Sequence, residues 1–328
     1  MTFEKGHAVK NTIKKKLAAA AAALALSSAG SAMAASQLIS FNPAGTGAGG
    51  AVMVDLFDWD VGTILMQGLG GNVAINSAFT MKAHGEISVI KDTNSATIAF
   101  SQGGTAGIYK EFTFELSTEM RLVGAATATS FNANRDPLAG PPALTATNYF
   151  RIFADTARDS VALSGANYAD GLMIAEGFIR IAPFNFTATG SDILDAAGNN
   201  DYPLLTSMTG QGGSRVIVDL TYADPGFFVS NVTSLTTDMS DAGGANLNFA
   251  QGQPSAQVAG VTFNVGSDNR NDFDCGTGAP CDMIFQSDYS SSFSDTEIPI
   301  PVPGSLALLG LGLGLIGVRL RRAHKLPA

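Results

Sequence analysis

The sequence predicts an all-β body, a β-sandwich or jelly-roll-like domain, and three observations carry that expectation. Apolar and polar residues alternate with period two in many short runs, clusters of Gly, Asn, Asp and Pro separate the runs, and no 3.6-residue apolar period is sustained after the N-terminal segment. Phe112, Phe114 and Leu116 alternate with Thr113 and Glu115, and Met120 and Leu122 alternate with Glu119 and Arg121. Val216, Val218, Leu220 and Tyr222 interleave with Arg215, Asp219 and Thr221, while Val261, Phe263 and Val265 flank Thr262 and Asn264. Such spacing puts each apolar set on one face of a sheet. Further strand-like runs lie at 87–90, 96–100, 149–153, 172–174, 178–181 and 283–285. Turns are marked by Asp136-Pro137, Gly140-Pro141-Pro142, Gly198-Asn199-Asn200 and Asp224-Pro225-Gly226. Most of the 20 phenylalanines, the six tyrosines and Trp59 fall in this body and supply a core. One domain over 35–295 is the expectation, with two β-lobes meeting near 188–212 as the alternative.

Charge separates the 328 residues into three unlike segments. The net charge of -9 includes five lysines and one glutamate in residues 1–34, and four basic residues with no acid in 298–328. The body between them holds 10 basic and 27 acidic side chains, a net of -17. So acidic a surface repels phosphate backbones and excludes nucleic acid as a natural partner. The body has one histidine, His84, and two cysteines, which excludes a four-ligand His/Cys zinc site and weighs against a histidine-based triad.

Both ends read as addresses. Lys10, Lys14, Lys15 and Lys16 precede a run of Ala and Leu from Leu17 to Leu26, and Ala32-Met33-Ala34 supplies a small-x-small cleavage pattern. This is the order of a secretory signal over residues 1–34, cut by signal peptidase before Ala35. At the other end, 296–304 holds Pro299, Pro301 and Pro303, whose spacing forbids a helix. An uncharged Gly/Leu-rich helix over 305–318 follows, then a basic tail over 319–328 with Arg319, Arg321, Arg322 and Lys325. A span of this kind rises roughly 22 Å as a helix, short of the ~30 Å hydrocarbon core. It suits transient residence in the inner membrane better than a permanent anchor, although an ordinary C-terminal anchor stays open.

The proline motif, short helix and terminal arginine cluster resemble the PEP-CTERM sorting signal. In that family exosortase, a membrane-embedded cysteine protease or transpeptidase of exopolysaccharide-producing Gram-negative bacteria, reads the signal. The usual Pro-Glu-Pro is replaced here by Pro301-Val302-Pro303, followed by Gly304. Three shorter matches resemble the flocculation-associated PEP-CTERM group: Phe41-Asn42-Pro43 before a Gly-rich turn, Asn148-Tyr149-Phe150-Arg151-Ile152, and Phe285-Gln286-Ser287-Asp288 before a serine run. The resemblance implies an exported, non-enzymatic protein of the cell surface or extracellular matrix that acts in floc or biofilm formation through exopolysaccharide. A secreted carboxylate-based glycan hydrolase or lyase, or a self-assembling structural subunit, are the competing classes.

Residues within the body suggest further chemistry. Cys275 and Cys281 enclose a five-residue loop and are expected to pair in an oxidising compartment. Asp268, Asp272 and Asp274, with Asp282 beyond the loop, gather oxygens that suit calcium, although an acidic turn-forming loop explains the same residues. No other cofactor and no catalytic residue is assigned. Trp59 between Asp58 and Asp60 has the composition of a glycan platform, an indole face beside acids that accept hydroxyl bonds, and equally of a core or rim residue. Gly45–Gly50 is expected to be a flexible mature N-terminus, His84 to sit in a surface turn, and 288–297 to be a tether to the sorting motif. The intact mass of the protein recovered from culture should lack residues 1–34 and about the last 25 residues; a retained C-terminus would identify an ordinary anchor.

Overall fold

In the computed structural model the alternating runs merge into long antiparallel strands. The structure describes residues 38–294 apart from 72–73, 93–97, 102–108, 125–129, 163, 194–205, 242–256, 263–269 and 272–280. A hairpin of β1 (Ile39–Phe41) and β2 (Val52–Val54) leads into β3 (Leu56–Gly70) and β4 (Ala78–Lys91). Next come β5 (Ile98–Ser101), β6 (Glu111–Leu122), β7 (Ser130–Arg135) and β8 (Tyr149–Asp155). They are followed by β9 (Leu172–Ile181), β10 (Phe184–Ile193), β11 (Thr206–Ala223) and β12 (Ser234–Asp241). Two-residue pieces β13 (Gln257–Val258), β14 (Val261–Thr262) and β15 (Arg270–Asn271) precede the last long strand, β16 (Cys281–Ser294). The helical structure among the described residues is one 3-10 turn, Pro137–Ala139.

The fold is all-β, as the alternation predicts, but the sheet closes on itself. Strands β3, β4, β6, β8, β9, β11, β12 and β16 pair in that order, each antiparallel to the next, and β16 pairs back onto β3. This is an eight-stranded up-and-down barrel rather than the expected sandwich or jelly roll. A sandwich needs a break in pairing where two layers part; here both edges of every one of these strands are paired, so the ring has no open edge.

Two lines of the barrel are spliced from shorter strands. β9 and β10 run on along one edge of β11, with Ile181 opposite Ile217 and Phe184 opposite Ser214. Pro183, which has no N–H to give a ladder, occupies the join. β7 and β8 likewise share one edge of β6, at Met120–Leu122 and Glu111–Ser117 respectively. Asn148 bridges that second join: its amide donates to the Ile179 carbonyl and its oxygen accepts from the Ile179 N–H, both at 3.1 Å. A buried side-chain amide thus supplies the two bonds that a strand peptide would make.

The interior is filled with rings. Phe57, Trp59, Phe112, Phe114, Phe150, Tyr289 and Phe293 are buried. Trp59 meets Phe114 edge-on at 4.8 Å, Phe57 meets Phe293 at 4.8 Å, and Phe114 stacks on Phe150 at 5.5 Å. A second knot, Phe131, Phe184, Phe186 and Phe285, packs where β7 and β10 join the ring. At the opposite end Phe41 of β1 reaches Phe57 and Phe228, and the Val229 N–H bonds the Ser40 carbonyl. Gly85 makes room for this packing, because a Cβ there would lie 2.6 Å from the Phe114 ring.

Three sequence expectations are corrected at this level. Trp59 is 1% exposed and points inward, so it offers no platform to a sugar. Its Nε1 donates to Ser291 Oγ at 2.7 Å, and Ser291 shares a further hydroxyl bond with Thr237 at 2.9 Å. Residues 288–294 are not a tether but the second half of β16, paired with β12 throughout. Gly45–Gly50 is a tied loop: Asn42 Nδ2 donates to Thr46 Oγ1 and to the Gly47 and Gly49 carbonyls, while its oxygen accepts from Ala44 N–H.

Polarity is reversed relative to a transmembrane barrel. Rings face in, whereas the outer face carries Arg151–Glu176, Arg180–Asp219, Arg215–Asp238 and Lys91–Asp58 ion pairs that a lipid-facing band does not tolerate. Replacing Asn148 by Ala strips the Ile179 peptide of both partners inside the wall. Urea unfolding of Asn148→Ala is expected to show a loss of about 2 kcal/mol with an unchanged m-value.

Candidate functional site

Register places one row of chemistry across the outside of the barrel. His84 on β4 faces Glu115 on β6, Glu115 faces Arg151 on β8, Arg151 faces Glu176 on β9, and Glu176 faces Tyr222 on β11. Arg151 lies 4.4 Å from the centre of the Tyr149 ring and donates through Nε to Glu176 at 2.8 Å. Beside it Arg180 Nε donates to Asp219 at 3.0 Å. Thr221 Oγ1 donates to the Glu176 carbonyl, and the exposed Tyr222 donates to Asp224 at 3.3 Å. Burial draws Lys82 below the ordinary lysine range, opposed by Glu115. Burial also pushes the Glu115 carboxyl up, against the pull of Lys82 and Arg151. The row is therefore open over β8, β9 and β11 and progressively enclosed towards β4.

A strap encloses it. Residues 156–162 and 164–170 follow β8, turn back at Val161–Ala166 and cover the outer face of β4 and β6. Tyr168 stacks flat on His84, with ring centres 3.9 Å apart and planes 5° from parallel, and Thr113 Oγ1 donates to the Tyr168 carbonyl at 2.6 Å. His84 is thus a buried strand residue and not part of a surface turn; burial drives its pKa down to about 3. The strap is fastened at its root by carboxylates. Ser160 N–H and Oγ donate to Glu111, and Arg158 Nε donates to Glu86 at 3.3 Å. Glu111, Asp155 and Asp159 bring carboxylate oxygens within 4.8 Å of one another. Burial, with Glu86 adding repulsion, raises Glu111 to about 7 against the hydrogen bonds from Ser160. Asp170 is raised as well, by burial first and then by Asp159 and Asp155.

Residues singled out from the sequence land in different places. Asp58 and Asp60 flank Trp59 but sit on the opposite side of the wall, where Asp58 pairs with Lys91. Asp288 lies near them, its carboxyl pushed up by burial and by Asp58. Asp282 accepts from the Gly68 N–H through Oδ1 at 2.9 Å. Cys281 is buried at the start of β16. Its expected partner Cys275, the calcium candidates Asp268, Asp272 and Asp274, the signal-cleavage residues Ala32, Ala34 and Ala35, and Pro301–Gly304 lie outside the described residues. Sequence reasoning missed Glu111, Ser160 and Tyr168, which meet only when the strap folds back. The one trace they leave is the acid-rich stretch Asp155, Asp159 and Asp170 between two strand patterns.

No protein-family model matches the chain, and no curated protein or solved structure matches it.

His84 gives the barrel an acid sensitivity of calculable sign. The unfolded chain takes up a proton on His84 below about pH 6.5, whereas the folded chain refuses it until about pH 3. Its contribution to stability is therefore complete above pH 6.5 and is lost as pH falls towards 3, the opposite direction to that of Glu111. Between pH 7 and pH 5 the protein should lose roughly 2 kcal/mol relative to His84→Phe, which keeps the stack on Tyr168; paired urea titrations at the two pH values measure the difference.

Proposed function

We propose that this chain is an exported, exosortase-sorted protein of the cell surface or matrix that promotes flocculation or biofilm formation by holding exopolysaccharide, without catalysis. The observation that carries the binding step is the open outer face of β8, β9 and β11. There the Arg151–Glu176 and Arg180–Asp219 pairs stand beside the half-buried Phe178 and the exposed Tyr222. Guanidinium groups donate to sugar hydroxyls, carboxylates accept from them, and aromatic faces take the C–H sides of the rings. The filled interior supports an external mode of binding, because the barrel's inner face is taken up by its own rings.

Delivery follows from the termini. The signal over 1–34 exports the precursor, the segment over 305–318 holds it in the inner membrane, and cleavage in the Pro301-Val302-Pro303-Gly304 region releases the body. Cys275 and Cys281 close their loop by a disulfide after export, a local staple at the start of β16 worth about 2 kcal/mol.

The test is co-sedimentation of the purified protein with exopolysaccharide from the producing cells. The double variant Arg151→Ala/Tyr222→Ala should bind roughly tenfold more weakly, a loss of about 1.4 kcal/mol, with its melting temperature little changed. Binding unaffected by the double variant would remove this face from the mechanism. Release of new reducing ends from the polysaccharide would replace the binding role by a hydrolytic one.

A further inference from the structure

We propose that the strap formed by residues 156–162 and 164–170 is a proton-operated latch, shut over the outer face of β4 and β6 while Glu111 carries a proton and released as Glu111 ionises. Ser160 Oγ lies 2.5 Å from Glu111 Oε1 and 3.3 Å from Glu86 Oε2, yet a hydroxyl has one proton to donate. With both carboxylates ionised, one of these two contacts sets oxygen lone pairs against each other. A proton on Glu111 supplies the missing hydrogen: the carboxyl donates to Ser160 Oγ, and the hydroxyl is free to donate to Glu86. The Ser160 N–H, 3.2 and 3.3 Å from the two Glu111 oxygens, holds the group in place in either state.

Charge acts in the same direction. Glu86 from β4, Asp155 from β8 and Asp159 from the strap face Glu111, and the Tyr168 ring stacked on the neutral His84 lies within reach of Glu86, Glu111 and Asp60. Three carboxylates thus crowd Glu111, and the nearby guanidinium of Arg158 is already engaged with Glu86 at 3.3 Å. Ionising the buried Glu111 adds a further negative charge to this cluster. The elevation of Glu111 to about 7 puts the change near neutrality, with the strap secure below the ordinary glutamate range and loosened as pH rises through 7. Release uncovers Thr113 and the His84 ring, now beneath Tyr168, and extends the open face of β8, β9 and β11 towards β4.

Hydrogen–deuterium exchange of the full chain at pH 5.5 and 8.5, corrected for intrinsic exchange rates, reads the latch directly. Amides of residues 156–168 should lose roughly thirtyfold in protection over that range, the ratio set by a carboxyl at about 7 when shut and about 4.5 when free. Amides of β11 and β12 should hold their protection. Glu111→Gln, which cannot ionise, should show strap protection independent of pH. A wild-type strap equally protected at both pH values, or the same thirtyfold loss in Glu111→Gln, would overturn the proposal. Should Glu111→Gln fail to fold, Glu86→Gln removes the nearest repelling charge and should shrink the loss to severalfold; an undiminished loss counts against the latch. Millimolar calcium at pH 8.5 should leave the strap released, and recovery of protection would show a cation latch instead of a proton latch.

Discussion

The pairing of β16 with β3 is the constraint on which the rest of the molecule depends. It joins Ser291 to Phe57, Phe285 to Ile64 and Cys281 to Gly70, and by doing so turns a meandering sheet into a ring. Once the ring closes, every second side chain on eight strands must share one enclosed space. The rings of Phe57, Trp59, Phe114 and Tyr289 fill it, and positions that cannot hold bulk are given to Gly85 and Ser291. Closure also dictates what is left outside, where charged and hydroxylated residues face water with their neighbours fixed by register. The cost is kinetic: the first and last long strands must find each other across more than two hundred residues, which slows folding relative to local pairing.

Much of the wall was legible in the sequence, and its closure was not. Alternation at 112–122 and 215–222 identifies strands β6 and β11, but a sandwich and a barrel have the same two-residue period. What distinguishes them is which edges meet, and Gln286 opposite Thr63 leaves no local trace. The serine run of β16 reads as a tether because serine has a weak preference for strands; inside this barrel the small Ser291 hydroxyl is what fits against the Trp59 nitrogen. Trp59 itself was readable by the same rule that revealed the strands. If Asp58 and Asp60 face water, the residue between them faces the core. His84 looked like a turn because Gly85 follows it, whereas Gly85 serves the Phe114 ring.

The segments 41–43, 148–152 and 285–288 each carry a buried polar side chain. Asn42 gathers the loop that follows it, Asn148 ties the start of β8 to Ile179 of β9, and Gln286 and Ser287 are buried in the strand that closes the ring. Asn42 and Asn148 each satisfy backbone groups that lie outside the strand ladders or at the break in one.

Closure also gives the molecule a mechanical character. Ser294 ends β16 at the same end of the barrel where Phe57 begins the inner row, and β16 is flanked by β12 and β3 along most of its length. A pull applied at that end along the strand is resisted on both sides at once, with the hydrogen bonds of two ladders loaded together in shear instead of opening one after another. Over residues 287–291 the last strand is held by two neighbours at once.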